Sequence, residues 1–297
     1  LDQGVVVEPD AADDDTRALL ERLRTLGIAV SVKLAADDFG IPNLYVIGDD
    51  PQAAIPIQLT ACGEAAHPDR ARSLRKALLE FCGSRARKSS THGPVETVKR
   101  VMPREMVERQ MATALAEEQE SRAVEAMAEW VALDAEALRA RLAGSVFSER
   151  RRVKLSELPD GGQALSADSA GRLRWLTAQL AAEGLEVLWV DCSPPGGRVK
   201  VVKTIVPGLE SETMSYRRIG WRGVRRLRNR ADPLLLDAPR EGALRVRLRP
   251  EDEARAGGPA WFDAALADQM AAGLYALYRE SGPFAAQLLL EKQRGAA

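Results

Sequence analysis

Gly63-Glu64-Ala65-Ala66-His67-Pro68-Asp69-Arg70-Ala71, continuing through Leu74 to Arg85, is the stretch from which the rest of the chain is read. Pro68 suits the first turn of a helix, where its missing N–H costs nothing. Ala71, Leu74, Leu78, Phe81 and Cys82 then recur at helical spacing and form an apolar stripe. A helix over about residues 67–87 is predicted. On its other side Lys76, Glu80 and Ser84 follow at steps of four and share a face. Periodicity alone makes that face a solvated one with a single Lys–Glu pair.

Upstream, Asp13 to Asp15 and Thr16 form an acidic first turn, with Leu19, Leu20, Leu23 and Leu26 as the stripe of a helix that Gly27 ends. Residues 28–32 alternate like a strand, and a turn near residues 37–40 leads to a second strand at 44–47. The same grammar returns downstream. Leu173, Leu176 and Leu180 line a helix ending at Gly184, followed by strands at 185–190 and 199–206 around Pro194-Pro195-Gly196-Gly197. Thirteen residues separate Gly27 from Gly40 and Gly184 from Gly197. Two helix–strand–turn–strand units at matched spacing predict an internal pseudo-repeat. Helices are expected over 103–129 and 134–143, a basic helix over 216–230, a short strand at 244–248 and a helical region over 261–290. The fold class is α+β, a mixed sheet with flanking helices.

Apolar residues make up 45% and charged residues 29% of the 297, as in ordinary globular proteins. A net charge of -1 argues against a partner held mainly by electrostatics, such as duplex DNA or an anionic membrane. No apolar run is long enough to span a bilayer, and the N-terminus lacks the regions of a signal peptide. Cys62, Cys82 and Cys192 lie far apart without a CxxC, which suits a reducing cytoplasm and predicts neither zinc site nor disulfide. The chain opens at Leu1 and runs straight into Val5-Val6-Val7, a strand remnant, so a fragment is expected.

Common catalytic signatures fail. There is no GxGxxG, no GxSxG, and no P-loop: the tract Gly83 to Ser89 ends in Lys-Ser but lies at the end of a helix without a glycine before the lysine. With only His67 and His92, a catalytic triad or a histidine-rich metal site is poorly supported, and each is expected to be a surface or capping residue.

Three segments carry a resemblance. Gly63…His67-Pro68-Asp69…Lys76-Ala77-Leu78-Leu79-Glu80…Ser84-Arg85 resembles the signature helix of the YcaO family. Val201-Val202-Lys203-Thr204-Ile205-Val206-Pro207-Gly208-Leu209-Glu210 is similar to that family's strand ending in Val-Pro-Gly-Leu-Glu. Gly27-Ile28 through Gly40-Ile41-Pro42 resembles its helix, strand and Gly-Ile-Pro turn. The segments occur in the family's order and span about residues 10–227.

The resemblance implies one YcaO-type domain over residues 1–297, representing the C-terminal part of the family's domain. It implies Mg-ATP bound without a P-loop and ATP-dependent phosphorylation of a backbone amide oxygen in a ribosomally made peptide or protein. The product would be an azoline when a Cys, Ser or Thr side chain attacks, or a thioamide with external sulfide. Glu80 matches the helix carboxylate that holds Mg2+, Arg85 the arginine facing phosphate, and Lys203 a phosphate-facing cation. No catalytic residue is assigned. Carboxylate oxygen suits Mg2+, and cationic clamps suit a transferring phosphoryl group. A TfuA-like or other substrate-delivering partner protein is implied as well.

This sequence departs from the pattern where the usual glutamine is Gly83 and the helix arginine is Lys76. Nothing before Gly27 matches the family's upstream Ser-x-x-Glu-x-x-Glu-Arg motif, so the fragment by itself is expected to hold an incomplete ATP site. The Pro-rich tail of many azoline-forming members is missing from its C-terminus, which tilts the expectation towards thioamidation. The Arg-rich run from Arg217 to Arg230 reads as a solvated helix with Ile219, Val224 and Leu227 turned inward. The alternative function is a catalytically incomplete relative that uses this run to bind a peptide, protein or nucleic acid.

Overall fold

A computed structural model of the chain describes residues 4–295, except 54, 115–119, 163–164, 166–167, 211–218 and 272. The chain forms two compact units, Leu1–Ala164 with Gly273–Ala297, and Leu165–Ala272.

The first unit begins with β1 (Val5–Glu8), α1 (Asp14–Thr25), β2 (Ala29–Ala36), β3 (Asn43–Asp49), β4 (Cys62–Ala66) and the long helix α2 (Arg70–Thr91). It continues with α3 (Val95–Val98), α4 (Arg104–Thr113), α5 (Ser121–Ala132), α6 (Ala135–Ala143) and β5 (Arg151–Lys154). The second unit holds α7 (Ser169–Ala182), β6 (Leu188–Asp191), β7 (Val202–Ile205), α8 (Trp221–Asn229), β8 (Leu235–Leu236), β9 (Leu244–Arg245), α9 (Pro250–Ala256), β10 (Trp261–Phe262) and α10 (Ala264–Ala271). The chain then returns to the first unit as α11 (Tyr275–Tyr278) and α12 (Ala285–Gly295).

The first unit is built on a mixed sheet in the order β4-β3-β2-β1-β5, with β1 antiparallel to β2 and parallel to β5. Successive side chains of a strand point to opposite faces, and the interior strand β3 shows the consequence. Leu44 and Val46 join the core made with Leu74, Leu78 and Phe81 of α2, whereas Tyr45 and Ile47 join Met127, Trp130 and Leu138 of α5 and α6 on the other face. Burying each large apolar side chain is worth about 1.5–3 kcal/mol, so covering both faces fixes the register of β3.

The predicted helix near residue 67 begins later than expected. Asp69 is its N-cap, accepting from the backbone N–H of Arg72 at 3.0 Å, and Pro68 lies outside it. Residues 62–66 form β4, which the motif reading passed over. Gly63 explains why that strand carries a glycine. A Cβ there would stand 2.2 Å from both the Ala77 carbonyl oxygen and the Phe81 nitrogen, so α2 packs backbone-to-backbone on β4. On the expected solvated face Lys76 and Glu80 are exposed but Ser84 is buried, and no ion pair joins Lys76 to Glu80.

The pseudo-repeat is present. α1 leads through Gly27 (φ 77°) into antiparallel β2 and β3, joined by a turn at Gly40 (φ 68°). α7 leads through Gly184 (φ 71°) into antiparallel β6 and β7, whose connection includes Gly196 (φ 68°). Left-handed backbone favours glycine at these positions. The expected helical region over 261–290 is instead broken, beginning as β10 between β8 and β9. The second unit's own core gathers Val224, Val246, Ala256, Ala260 and Phe262.

Candidate functional site

Glu80 stands exposed on α2 and makes no hydrogen bond or ion pair with the described residues. Glu80 also acts weakly on Arg87, which is itself occupied by Glu280 at 3.0 and 3.2 Å. Arg85 is half-buried and paired with Asp50. Positions 80 and 85 are about 140° apart around a helix, with the buried positions Phe81, Ser84 and Lys88 on the face between them. The two motif residues therefore share a helix but not a face.

The C-terminal end of β3 places two acids side by side on opposite faces of the sheet. Asp49 takes Arg139 of α6 through both oxygens, with Nη2–Oδ1 at 2.7 Å and Nε–Oδ2 at 3.1 Å. Asp50 turns the other way and takes Arg85 of α2. Its side chain is only 8% exposed, and its Oδ1 also accepts the backbone N–H of Gln52 at 3.1 Å.

Lys203 lies in the second unit, exposed on β7 opposite Val190, with no hydrogen bond or ion pair to the described residues. Further along that motif Glu210 has a clear structural task. Its Oε1 accepts the backbone N–H groups of Gly220 and Gly223, each at 2.8 Å, and so satisfies the start of α8. A Cβ at Gly223 would lie 2.4 Å from that oxygen.

Of the arginine run, Arg217 and Arg218 lie outside the described residues. Val224 of α8 is buried with Leu227 packed beside it, as the solvated-helix reading expects, but the helix begins only at Trp221, and Ile219 packs on the same core from outside it. Arg222 pairs with Glu183 at 2.9 Å and Arg228 with Asp237 at 2.7 Å. Trp221 lies under Arg222, Arg225 and Arg255, 5.0–5.8 Å from its ring centre.

One cluster escaped sequence reasoning. Lys88 is fully buried, its Nζ 5.2 Å from the Trp130 ring centre and without a hydrogen-bond partner. Burial pushes its pKa down, against the opposing pull of Cys62 and Glu280. Burial pushes the Cys62 thiol up; its Sγ donates to the Leu277 carbonyl at 3.5 Å. His92, the C-cap of α2, is buried as well, with Nε2 3.8 Å from Glu280. Burial favours the neutral form of Glu280, but His92, Arg87 and Lys88 outweigh it and hold the pKa down to about 2. The only sequence signal was a lysine on the apolar side of a helix, four residues before a histidine.

Residues 2–210 match the family model described as YcaO cyclodehydratase, ATP- and Mg2+-binding. The chain belongs to the YcaO family. No curated protein matches the sequence. Among solved structures, this YcaO chain is similar to YcaO from Methanopyrus kandleri bound with AMPPCP and Mg2+ (18% identity, TM-score 0.44), covering 73% of this chain and 50% of that one. It is also similar to a heterocyclase in complex with substrate and cofactor (17%, TM-score 0.42; 68% and 23% covered). A third is the E. coli microcin synthetase McbBCD complex with pro-MccB17 bound (12%, TM-score 0.31; 69% and 46% covered). The chain thus spans half or less of the length of these proteins.

The donor set of this YcaO chain fits Mg2+ in one particular way. Among the described residues no three His, Cys, Asp or Glu side chains cluster as a metal cage. Mg2+ bound with a nucleotide keeps several waters and takes only one or two carboxylates beside the phosphates. A lone, exposed and uncommitted carboxylate such as Glu80 suits that arrangement. The three cysteines are free, and no described helix is long and apolar enough to cross a membrane.

Proposed function

We propose that this chain contributes to an ATP-dependent YcaO-type activity that phosphorylates a backbone amide of a ribosomally made peptide or protein. The supporting observation is the uncommitted carboxylate of Glu80 on the helix that carries the family motif, inside the segment the family model matches. Bound Mg-ATP would supply the phosphoryl group that converts the amide oxygen into a leaving group. Glu80 would ligate the metal, and Arg85 and Lys203 would each contact phosphate oxygens. Thioamide formation is the favoured product and azoline formation its competitor. A TfuA-like or other substrate-delivering protein is the expected partner, and the free cysteines support a cytoplasmic setting.

The test is calorimetric titration of ATP into the protein with and without Mg2+. Glu80→Ala should weaken Mg2+-dependent binding about tenfold, the loss of one charge-assisted ligand, and leave Mg2+-free binding unchanged. Equal affinity of the two proteins for Mg-ATP would remove Glu80 from the site. No binding at millimolar ATP would favour the binding-module alternative. That reading in turn expects charge reversal at Arg225 and Arg226 to abolish partner capture.

A further inference from the structure

Asp49 and Asp50 are neighbours at one strand end, each holding one helix arginine, yet they hold them differently. Arg139 gives Asp49 both its Nε and Nη2, so the paired edge of its guanidinium is used up. Arg85 gives Asp50 only Nη2. Its Nε is buried without a hydrogen-bond partner, and Nη1 has none among the described residues. A guanidinium carries five N–H donors in a rigid fork suited to planar oxyanions. Here Nη2 is pinned by a nearly buried acid, Nε is shut inside the fold, and Nη1 is the uncommitted edge. The pin is itself fixed: Asp50 accepts from the Gln52 N–H, and its own N–H donates to Leu59 at 2.8 Å.

We propose that Asp50 is a positioning residue that anchors the Nη2 corner of the Arg85 guanidinium and leaves the Nη1 side free to donate to a phosphate oxyanion. This rests on the phosphate role given to Arg85 above. An unpinned Arg85 would have to give up side-chain freedom each time it met a ligand.

The experiment measures the ratio of ATP to adenosine affinity by calorimetry on the full chain in Mg2+. This ratio isolates phosphate contacts from damage to the fold. Arg85→Ala should lower it about tenfold. Asp50→Asn should lower it about fivefold while adenosine affinity stays within about twofold, and the double variant should be no worse than Arg85→Ala alone. Asp50→Glu, which keeps the charge, should recover part of the ratio, and Asp49→Asn should leave it unchanged.

An Asp50→Asn variant with an unchanged ratio, beside an Arg85→Ala variant with a lowered one, overturns the proposal and leaves the role of Arg85 standing. Equal losses for ATP and adenosine in Asp50→Asn also overturn it, as a purely structural effect. An unchanged ratio in Arg85→Ala, or a wild-type ratio near one, overturns the reading beneath it. Should Asp50→Asn fail to fold, Asp50→Ser decides, because its hydroxyl can still accept from the Gln52 N–H but carries no charge to hold Arg85; the ratio should fall as in Asp50→Asn, and a wild-type ratio overturns the proposal.

Discussion

Replacing Lys88 with methionine should stabilise this protein at neutral pH. The ammonium is fully buried and unpartnered, and the nearest carboxylate, Glu280, is already taken by two nitrogens of Arg87. Desolvating such a charge costs several kcal/mol, and apolar replacement of buried charges commonly gains about 1–4 kcal/mol. Against this stands the lost attraction to the Trp130 ring at 5.2 Å, about 1–2 kcal/mol for a desolvated pair. Methionine has nearly the length of lysine and fills the same space, so no cavity term enters. The balance is a gain of about 1–2 kcal/mol, or a Tm higher by roughly 2–8 °C for a unit of this size. The gain should also depend on pH with a definite sign. Burial lowers the pKa of Lys88 in the folded state, so between that value and the unfolded value near ~10.4 the unfolded chain binds the extra proton. Wild-type stability should therefore rise towards pH 10, and the advantage of Lys88→Met should shrink along the same path. Calorimetric or circular-dichroism melts of both proteins at pH 7 and pH 9.5 measure this. A variant less stable than wild type at pH 7, with a difference that does not change with pH, would refute the reasoning, because it would mean that the charge of Lys88 is compensated in the fold.

Two other perturbations follow from the same packing. Glu280, held at about 2, contributes stability that is complete above its unfolded value of 4.5 and is lost as pH falls from there towards 2. After allowance for its partial exposure this amounts to about 2 kcal/mol, and Glu280→Gln should flatten the acid limb of a urea-denaturation series by that amount; an identical acid limb in both proteins would contradict it. Gly63→Ala forces a methyl to 2.2 Å from the backbone of α2. It should cost about 2–3 kcal/mol in urea denaturation, and a cost under about 0.5 kcal/mol would show that α2 can shift away from β4.

Local signals in the chain were sufficient for the elements that depend on neighbours in sequence. The glycines at 27, 40 and 184 marked turns that are left-handed, the fourth falling at Gly196 rather than at the matched Gly197, and Asp13 before an apolar stripe marked a helix start; each is a property of a few consecutive residues. That is why the two matched helix–strand–strand units and the α+β class were legible. β4 was not. Cys62–Ala66 holds no β-branched residue, and it is a strand because β3 lies beside it and α2 presses on Gly63. β10 is likewise made by its partners β8 and β9.

For the site, the sequence by itself determined that Glu80 and Arg85 share one helix, because spacing along a helix is fixed by its period. It also placed Lys203 on a strand, whose exposure only the structure shows. Only the tertiary structure decided that Asp50, thirty-five positions before Arg85, is the acid that holds it, and that Glu210 holds the start of α8. It also decided that Cys62 of β4, Lys88 and the C-cap His92 at the end of α2, and Glu280 of the returning C-terminal segment meet in one place. Charges interact by distance in space rather than by separation along the chain, and those distances are set by how the sheet and helices pack.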